Sequence, residues 1–271
     1  MIFLNALLLV GLGFLIGGLG TMIGAGGGFI LVPVLLLLYP HAQPEIITSI
    51  SLAIVFLNAS SGSMAYARMK RIDYKSAMIF AAATLPGAII GAISTSYIPR
   101  HTFNLILSIL LFVISIVLFL KPRKRVFEEA KNKKYHVDRS VTERNGEQHQ
   151  YSFNNFTGIA LSFIVGFISS LLGIGGGIIH VPALIRLLSF PVHIATATSH
   201  LILACMALTG TIVHVMQGNF KDSWLLTVSI GLGAVIGAQV GAKLSDKIKG
   251  PVIVRILAIA LLLVAIRLFF Q

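Results

Sequence analysis

The sequence predicts an all-α, polytopic integral membrane protein built from two homologous repeats, and three observations lead there. The first is composition: of 271 residues, 56% are hydrophobic and 11% charged, with a mean hydropathy of +0.92, too evenly apolar for a soluble domain. The second is a motif written twice, Gly24-Ala25-Gly26-Gly27-Gly28 ahead of Val32-Pro33 and Gly173-Ile174-Gly175-Gly176-Gly177 ahead of Val181-Pro182. The third is a succession of apolar runs, five on either side of a polar insert.

In chain order the runs cover 2–23, 28–39, 46–66, 76–97 and 104–120, then 156–173, 178–190, 194–217, 223–242 and 252–270. Most are long enough as helices to cross a hydrocarbon core of about 30 Å, whereas the runs after each triple glycine reach only about 20 Å. Those two are expected to be half-helices or short, oblique ones. The run 2–23 has no Lys or Arg ahead of it and no small-residue cleavage site, so a cleaved leader is not expected. Smaller landmarks recur in the same order: Thr48-Ser49 with Thr198-Ser199, Ser61-Gly62 with Thr209-Gly210, and Gly87-Ala88-Ile89-Ile90-Gly91-Ala92 with Gly233-Ala234-Val235-Ile236-Gly237-Ala238. The chain therefore divides into a first repeat (1–120), a linker (121–155) and a second repeat (156–271). Each repeat holds a glycine-rich broken helix or hairpin plus three further transmembrane helices. The linker is rich in Lys, Arg, Glu, Asn, Gln and His without apolar periodicity, which reads as a solvated, partly disordered segment.

Basic residues set the orientation. The linker carries Lys121, Arg123, Lys124, Arg125, Lys131, Lys133, Lys134, Arg139 and Arg144, which places it in the cytoplasm of a protein of the cell (inner) membrane. If each glycine motif returns the chain to its starting side, or both flanking helices cross, each repeat makes an odd number of transits and the repeats are inverted. That arrangement puts Arg68, Lys70, Arg71, Lys75, Lys243, Lys247 and Lys249 beside the linker and leaves Arg100, Lys221 and Arg267 opposite. Counting each motif as one crossing moves Lys243, Lys247 and Lys249 outside, a poorer fit. Between eight and ten segments remain open, with each break either a re-entrant tip or a kink. The net charge of +12 accordingly reports topology, not a nucleic-acid partner.

The triple glycines carry the strongest chemical signal. Non-helical backbone at membrane depth belongs where protein buries it or where it lines a cavity, and paired broken helices point to a central binding site. The helix that follows each break starts with unpaired N–H groups, near Gly28-Phe29 and Gly177-Ile178, which suit an anion. Close helix packing is the plainer reading, and it is preferred for Gly87-xxx-Gly91, Gly233-xxx-Gly237 and Gly237-xxx-Gly241. A dinucleotide fingerprint does not fit Gly24-x-Gly26-x-Gly28, which lacks the spacing, the preceding strand and the downstream ribose acid.

The acids Glu45, Asp73, Glu128, Glu129, Asp138, Glu143, Glu147, Asp222 and Asp246 all fall in loops or at segment ends. Cation carriers commonly keep such groups inside the bundle, so the expected substrate is an anion or a neutral molecule. Hydroxyl and amide candidates are Thr48, Ser49, Asn58, Ser60 and Ser61 on one segment and Thr198, Ser199, His200 and Thr209 on its partner, against the common alternative of bonding a carbonyl one turn back. His180, His200 and His214 lie in apolar segments and could carry a coupling proton or serve structurally. Arg186 and Arg255 are expected to snorkel, Gln239 to bond between helices, and Cys205, the single cysteine, to pack as a small residue.

These landmarks resemble the TauE/SafE sulfite-exporter family: the glycine-rich break, the following Val-Pro and the downstream Thr-Ser occur in both halves. Ser61-Gly62 with Ala65-Tyr66-Ala67-Arg68, Arg71-Ile72-Asp73-Tyr74 and Leu85-Pro86-Gly87-Ala88 add to it. The resemblance implies an inner-membrane carrier for sulfur-containing anions such as sulfite or organosulfonates, coupled to an ion gradient. The long linker, Ile50 where a Leu usually follows the Ser, and His200 at the corresponding place in the second repeat depart from the pattern. The expected site comprises Gly26, Gly27, Gly28, Thr48, Ser49, Asn58, Gly175, Gly176, Gly177, Thr198, Ser199 and His200. Its partners are the anion, the bilayer, a coupling proton or cation and, as an open question, a second copy of the chain. No metal or cofactor is expected. An anion channel or a membrane enzyme or assembly factor are the alternatives, although no His-Glu-x-x-His, paired buried acids or nucleophile elbow is present.

Overall fold

In the computed structural model, which describes residues 2–119, 136–220, 223–245 and 250–270, the apolar runs become ten helices. They are α1 (Ile2–Ile23), α2 (Gly28–Leu38), α3 (Pro44–Arg68), α4 (Tyr74–Thr95), α5 (Arg100–Phe119), α6 (Asn155–Leu172), α7 (Gly177–Leu187), α8 (Val192–Met216), α9 (Trp224–Leu244) and α10 (Gly250–Phe269). Among the described residues, seven are long and apolar enough to cross a membrane, which makes the chain a polytopic, predominantly helical membrane protein. The two that follow the glycine breaks, α2 and α7, have 11 residues each, about 17 Å of helix. Local signals set several boundaries. Pro44 opens α3 at its first turn, the Asp73 carboxylate caps α4 through the Ser76 N–H, and the Asn154 amide oxygen caps α6 through the N–H groups of Phe156 and Thr157.

The halves interleave. α1 packs on α9, α4 on α6, α5 on α10, and α3 crosses α8 at the centre. α3 is the most enclosed of the seven membrane-length helices, with 78% of its span buried against 28% for α1. Glycines let the outer pairs approach backbone to backbone. A Cβ on Gly233 or Gly237 would run into the carbonyls of Val10 or Phe14 in α1, and one on Gly87 or Gly91 into those of Phe163 or Phe167 in α6. These stripes therefore serve packing, as their spacing suggested. Gln239 likewise bonds across helices, donating to the Ser61 carbonyl and hydroxyl at 2.6 and 2.9 Å.

The linker departs from the expected irregular segment. Residues 136–154 form an antiparallel hairpin, β1 (His136–Thr142) and β2 (Gln148–Asn154), with His136 opposite Asn154 and Thr142 opposite Gln148. Tyr151 and Phe153, alternate residues of β2, turn to one face and pack on Phe190 with ring centroids 4.5 and 5.0 Å apart. The hairpin is pinned to the α3–α4 corner by Arg71, whose Nε meets Glu143 at 2.7 Å, and by the Tyr151 hydroxyl, which donates to Asp73 at 2.8 Å. Two alternating aromatics with a hydrophobic partner supplied by the α7–α8 corner are enough to order strands that look purely polar in sequence. The basic residues at 121–134, together with Glu128, Glu129, Lys221, Asp222, Asp246, Lys247, Lys249 and the Arg255 side chain, lie outside the described residues.

Candidate functional site

The two glycine breaks meet. Residues 24–29 and 171–178 are buried throughout, and their contacts are reciprocal. A Cβ on Gly28 would stand 2.7 Å from the Ile174 carbonyl carbon, and one on Gly177 would stand 2.6 Å from the Ala25 Cα. Each break is a left-handed turn, with φ of +83°, +74° and +80° at Gly24, Gly26 and Gly27, and +68°, +72° and +38° at Gly173, Gly175 and Gly176. L side chains rarely adopt these angles, which is why glycine stands there. The turns satisfy part of their own backbone: Ala25 and Gly26 donate to Gly20, and Ile179 and His180 to Gly176. The N–H groups of Gly28, Phe29 and Ile178 find no acceptor among the described residues.

The central helices line this crossover in matching register. On α3, Thr48 packs against Gly173 and Val55 against Gly175; on α8, Thr196 packs against Gly24 and Leu203 against Gly26. One step further, Leu52 lies over Gly210 and His200 over Gly62. The structural partners are therefore Thr48 with Thr196, Leu52 with His200 and Val55 with Leu203. The sequence match of Thr48-Ser49 with Thr198-Ser199 is two residues out of this register. Two residues turn a helix by about 200°, and Thr198 accordingly faces away, its hydroxyl accepting from the Asp73 N–H at 3.1 Å.

The expected site residues fall into two groups. The six glycines and Ser199 and His200 gather at the crossover or along the α8 face beside it, Ser199 and His200 being 1% and 0% exposed. Ser199 Oγ and both His200 ring nitrogens have no hydrogen-bond partner. The others are engaged with protein. Thr48 donates to the Pro44 carbonyl at 2.9 Å and Ser49 to that of Ile46 at 2.8 Å. Asn58 ties three helices together, donating to the Gly17 and Ala234 carbonyls and accepting from Thr21. Two other intramembrane histidines have partners: His180 lies 3.2 Å from Ser162 Oγ, and His214 contacts Thr48 Oγ1 and Asn219. Arg186 reaches the Val117 carbonyl at 3.2 Å.

Sequence reasoning missed Ser51 and Thr196. Ser51 Oγ donates to the Gly173 carbonyl at 2.6 Å, holding the second break in place. Both lie at i+3 or i+4 spacing from residues that were singled out, and a helical-face reading of α3 and α8 would have found them. Outside the crossover, Glu143, Glu147 and His149 each bring a ligand-type atom within 4.8 Å of the others. Glu143 already pairs with Arg71 through one oxygen and contacts His149 through the other at 3.0 Å, so this group is a hydrogen-bonded network around one ion pair that fastens the hairpin.

Comparison with known proteins follows the same outline. The sulfite exporter TauE/SafE family matches over residues 9–268. The chain is 33% identical to the probable membrane transporter protein YunE of Bacillus subtilis over 99% of its own length and 98% of that protein's. It is 25% identical to a probable membrane transporter protein of Methanocaldococcus jannaschii (89% and 86% covered) and 26% identical to the probable membrane transporter protein YdhB of Bacillus subtilis (86% and 87%). No solved structure gives a significant match.

Proposed function

The chain belongs to the sulfite exporter TauE/SafE family, and on that premise we propose that it is a secondary transporter of small sulfur-containing oxyanions, of the sulfite or organosulfonate type, working by alternating access and coupled to an ion gradient. The anion sits mid-membrane between two inverted repeats, 1–120 and 156–271, with the linker on the cytoplasmic side of the inner membrane. The reciprocal pairing of α1 with α9 and of α4 with α6, the first helix of each repeat on the fourth of the other, together with α5 on its equivalent α10, supports the pseudo-two-fold relation that inverted repeats require.

The observation that carries the reading is the reciprocal contact of the two glycine breaks, with leftover N–H groups at the starts of α2 and α7 and unpartnered Ser199 and His200 alongside. Donors of this kind replace the water around an oxyanion without the grip of a buried arginine. Among the described residues the acids lie in loops, in the hairpin or, for Glu45, in the first turn of a span, which agrees with an anionic substrate. Counterflow in proteoliposomes tests it: sulfite, thiosulfate and a small sulfonate are expected to compete for one uptake activity. Replacement of Gly27 or Gly176 by Ala, each forced into a left-handed turn, is expected to impair that activity while membrane insertion is kept. Counterflow by none of the three anions would refute the substrate class.

A further inference from the structure

We infer that His200 carries the proton that accompanies each anion through the membrane, and that one repeat alone supplies it because Leu52 stands at the matching place in the other. This rests on the crossover being the anion site. The two breaks share their backbone geometry but not the chemistry beside it. Ser51 donates to the Gly173 carbonyl, while its counterpart Ser199 has no partner; Leu52 is hydrocarbon, while its counterpart His200 is a buried imidazole with both nitrogens unpartnered.

Among the described residues, the surroundings of His200 supply no alternative charge. From α3 come Gly62 and the Tyr66 ring, nearly perpendicular at 5.4 Å between centroids, with the Tyr66 hydroxyl donating to the Thr21 carbonyl. From α1 comes Thr21, whose own hydroxyl donates to Asn58, and from α8 itself the Thr196 carbonyl one turn back, an electrostatic neighbour of the ring that lies outside hydrogen-bond geometry. Asp73 meets α8 at Thr198, on the opposite face, where Tyr151, Ser76 and Arg139 hold its carboxylate.

A neutral imidazole presents one N–H and one lone pair, whereas imidazolium presents two donors. An oxyanion offers only lone pairs, so it meets repulsion at the bare nitrogen and attraction once that nitrogen is protonated. The proton enters from the compartment to which the site is open, binds the free nitrogen with the anion, and leaves to the other compartment as the anion does. Imidazolium and monoanion together are neutral, and neither charge is left unpaired at low dielectric. Leu52 can hold no second proton, which sets the ratio at one.

The test uses ethanesulfonate, whose charge stays fixed over the working pH range, so any proton moved is carried by the protein. Reconstituted wild type is expected to show ethanesulfonate counterflow and an ethanesulfonate-driven pH change of one proton per anion. In His200→Gln, whose amide still donates to the anion, binding is expected to persist while the pH change disappears. Calorimetry of the purified protein in buffers of different ionisation enthalpy reads the same quantity without turnover: one proton taken up per ethanesulfonate bound in wild type, none in His200→Gln. Equal proton uptake in both proteins, no proton uptake in wild type, or loss of binding in a His200→Gln protein that keeps its melting temperature would each overturn the assignment. Absence of any sulfite, thiosulfate or sulfonate counterflow in wild type overturns the anion site itself, a distinguishable failure.

Discussion

Replacing Gly28 by Ala isolates the contact between the two breaks. Gly28 is the first residue of α2 and is not in a left-handed conformation, so the substitution imposes no backbone strain and improves local helix propensity by at most about 1 kcal/mol, the helix-interior figure. Against that, the new methyl would stand 2.7 Å from the Ile174 carbonyl carbon, 2.7 Å from Val55 Cγ2 and 2.8 Å from the Gly173 oxygen. Two of those three atoms are backbone of the opposite break and cannot rotate away, so the breaks must separate by several tenths of an ångström. Overpacking of this kind costs about 1–3 kcal/mol, which exceeds the propensity gain over most of that range. Gly11→Ala is the control, since nothing lies within 4 Å of its would-be Cβ. The assay is thermal unfolding of purified protein in one detergent: Gly28→Ala and Gly177→Ala are expected to melt below wild type and Gly11→Ala at or above it. The double variant is expected to lose less than the sum of the single losses, because both methyls push the same interface apart. A Gly28→Ala protein that melts like Gly11→Ala would refute the contact between the breaks.

The hairpin offers two further tests. Arg71→Ala leaves Glu143, whose side chain is 3% exposed, without its strongest partner. Breaking a buried pair in this way costs about 3–5 kcal/mol, so faster proteolysis or hydrogen exchange over 136–154 is expected, and unchanged protection would refute the docking. Burial first, and then the neighbouring Asp73 carboxylate, push the Tyr151 phenol above the ordinary tyrosine range. Because the folded form holds its proton more tightly than the unfolded one, the associated stability is present below about pH 10 and falls as pH rises beyond it. Spectrophotometric titration is expected to find a tyrosine that resists ionisation, and Tyr151→Phe is expected to remove that signal.

The helices were legible because bilayer thickness forces long apolar runs, and all ten appear within a few residues of those runs. The packing role of Gly87, Gly91, Gly233, Gly237 and Gly241 was legible from four-residue spacing alone. The hairpin was not, since Tyr151 and Phe153 are two apolar residues among polar ones and become a core only when Phe190, distant in sequence, covers them. The register of α8 against α3 was obscured by a coincidence of letters. Thr-Ser occurs in both helices, but contact pairs Thr48 with Thr196, and matching the letters instead turns Thr198 onto the wrong face.

That register changes what the duplication means. Sterics holds the two breaks to one pattern, since each needs glycines at left-handed angles and a glycine where the other break's backbone comes close. No such constraint acts on the side chains beside them, and there the halves diverge: Ser51 closes one break onto its carbonyl, while Ser199 and His200 leave the other with unpartnered polar atoms in a fully buried place. Buried polar groups without partners are costly, by about 1–3 kcal/mol each, and both lie along the same α8 face that covers Gly24 and Gly26. A ligand that satisfied them would recover that cost, and it would do so on one side of the pseudo-symmetric crossover only. Under the transport reading the anion therefore binds off the axis between the repeats, against α8, with the first break supplying the backbone donors nearest to it.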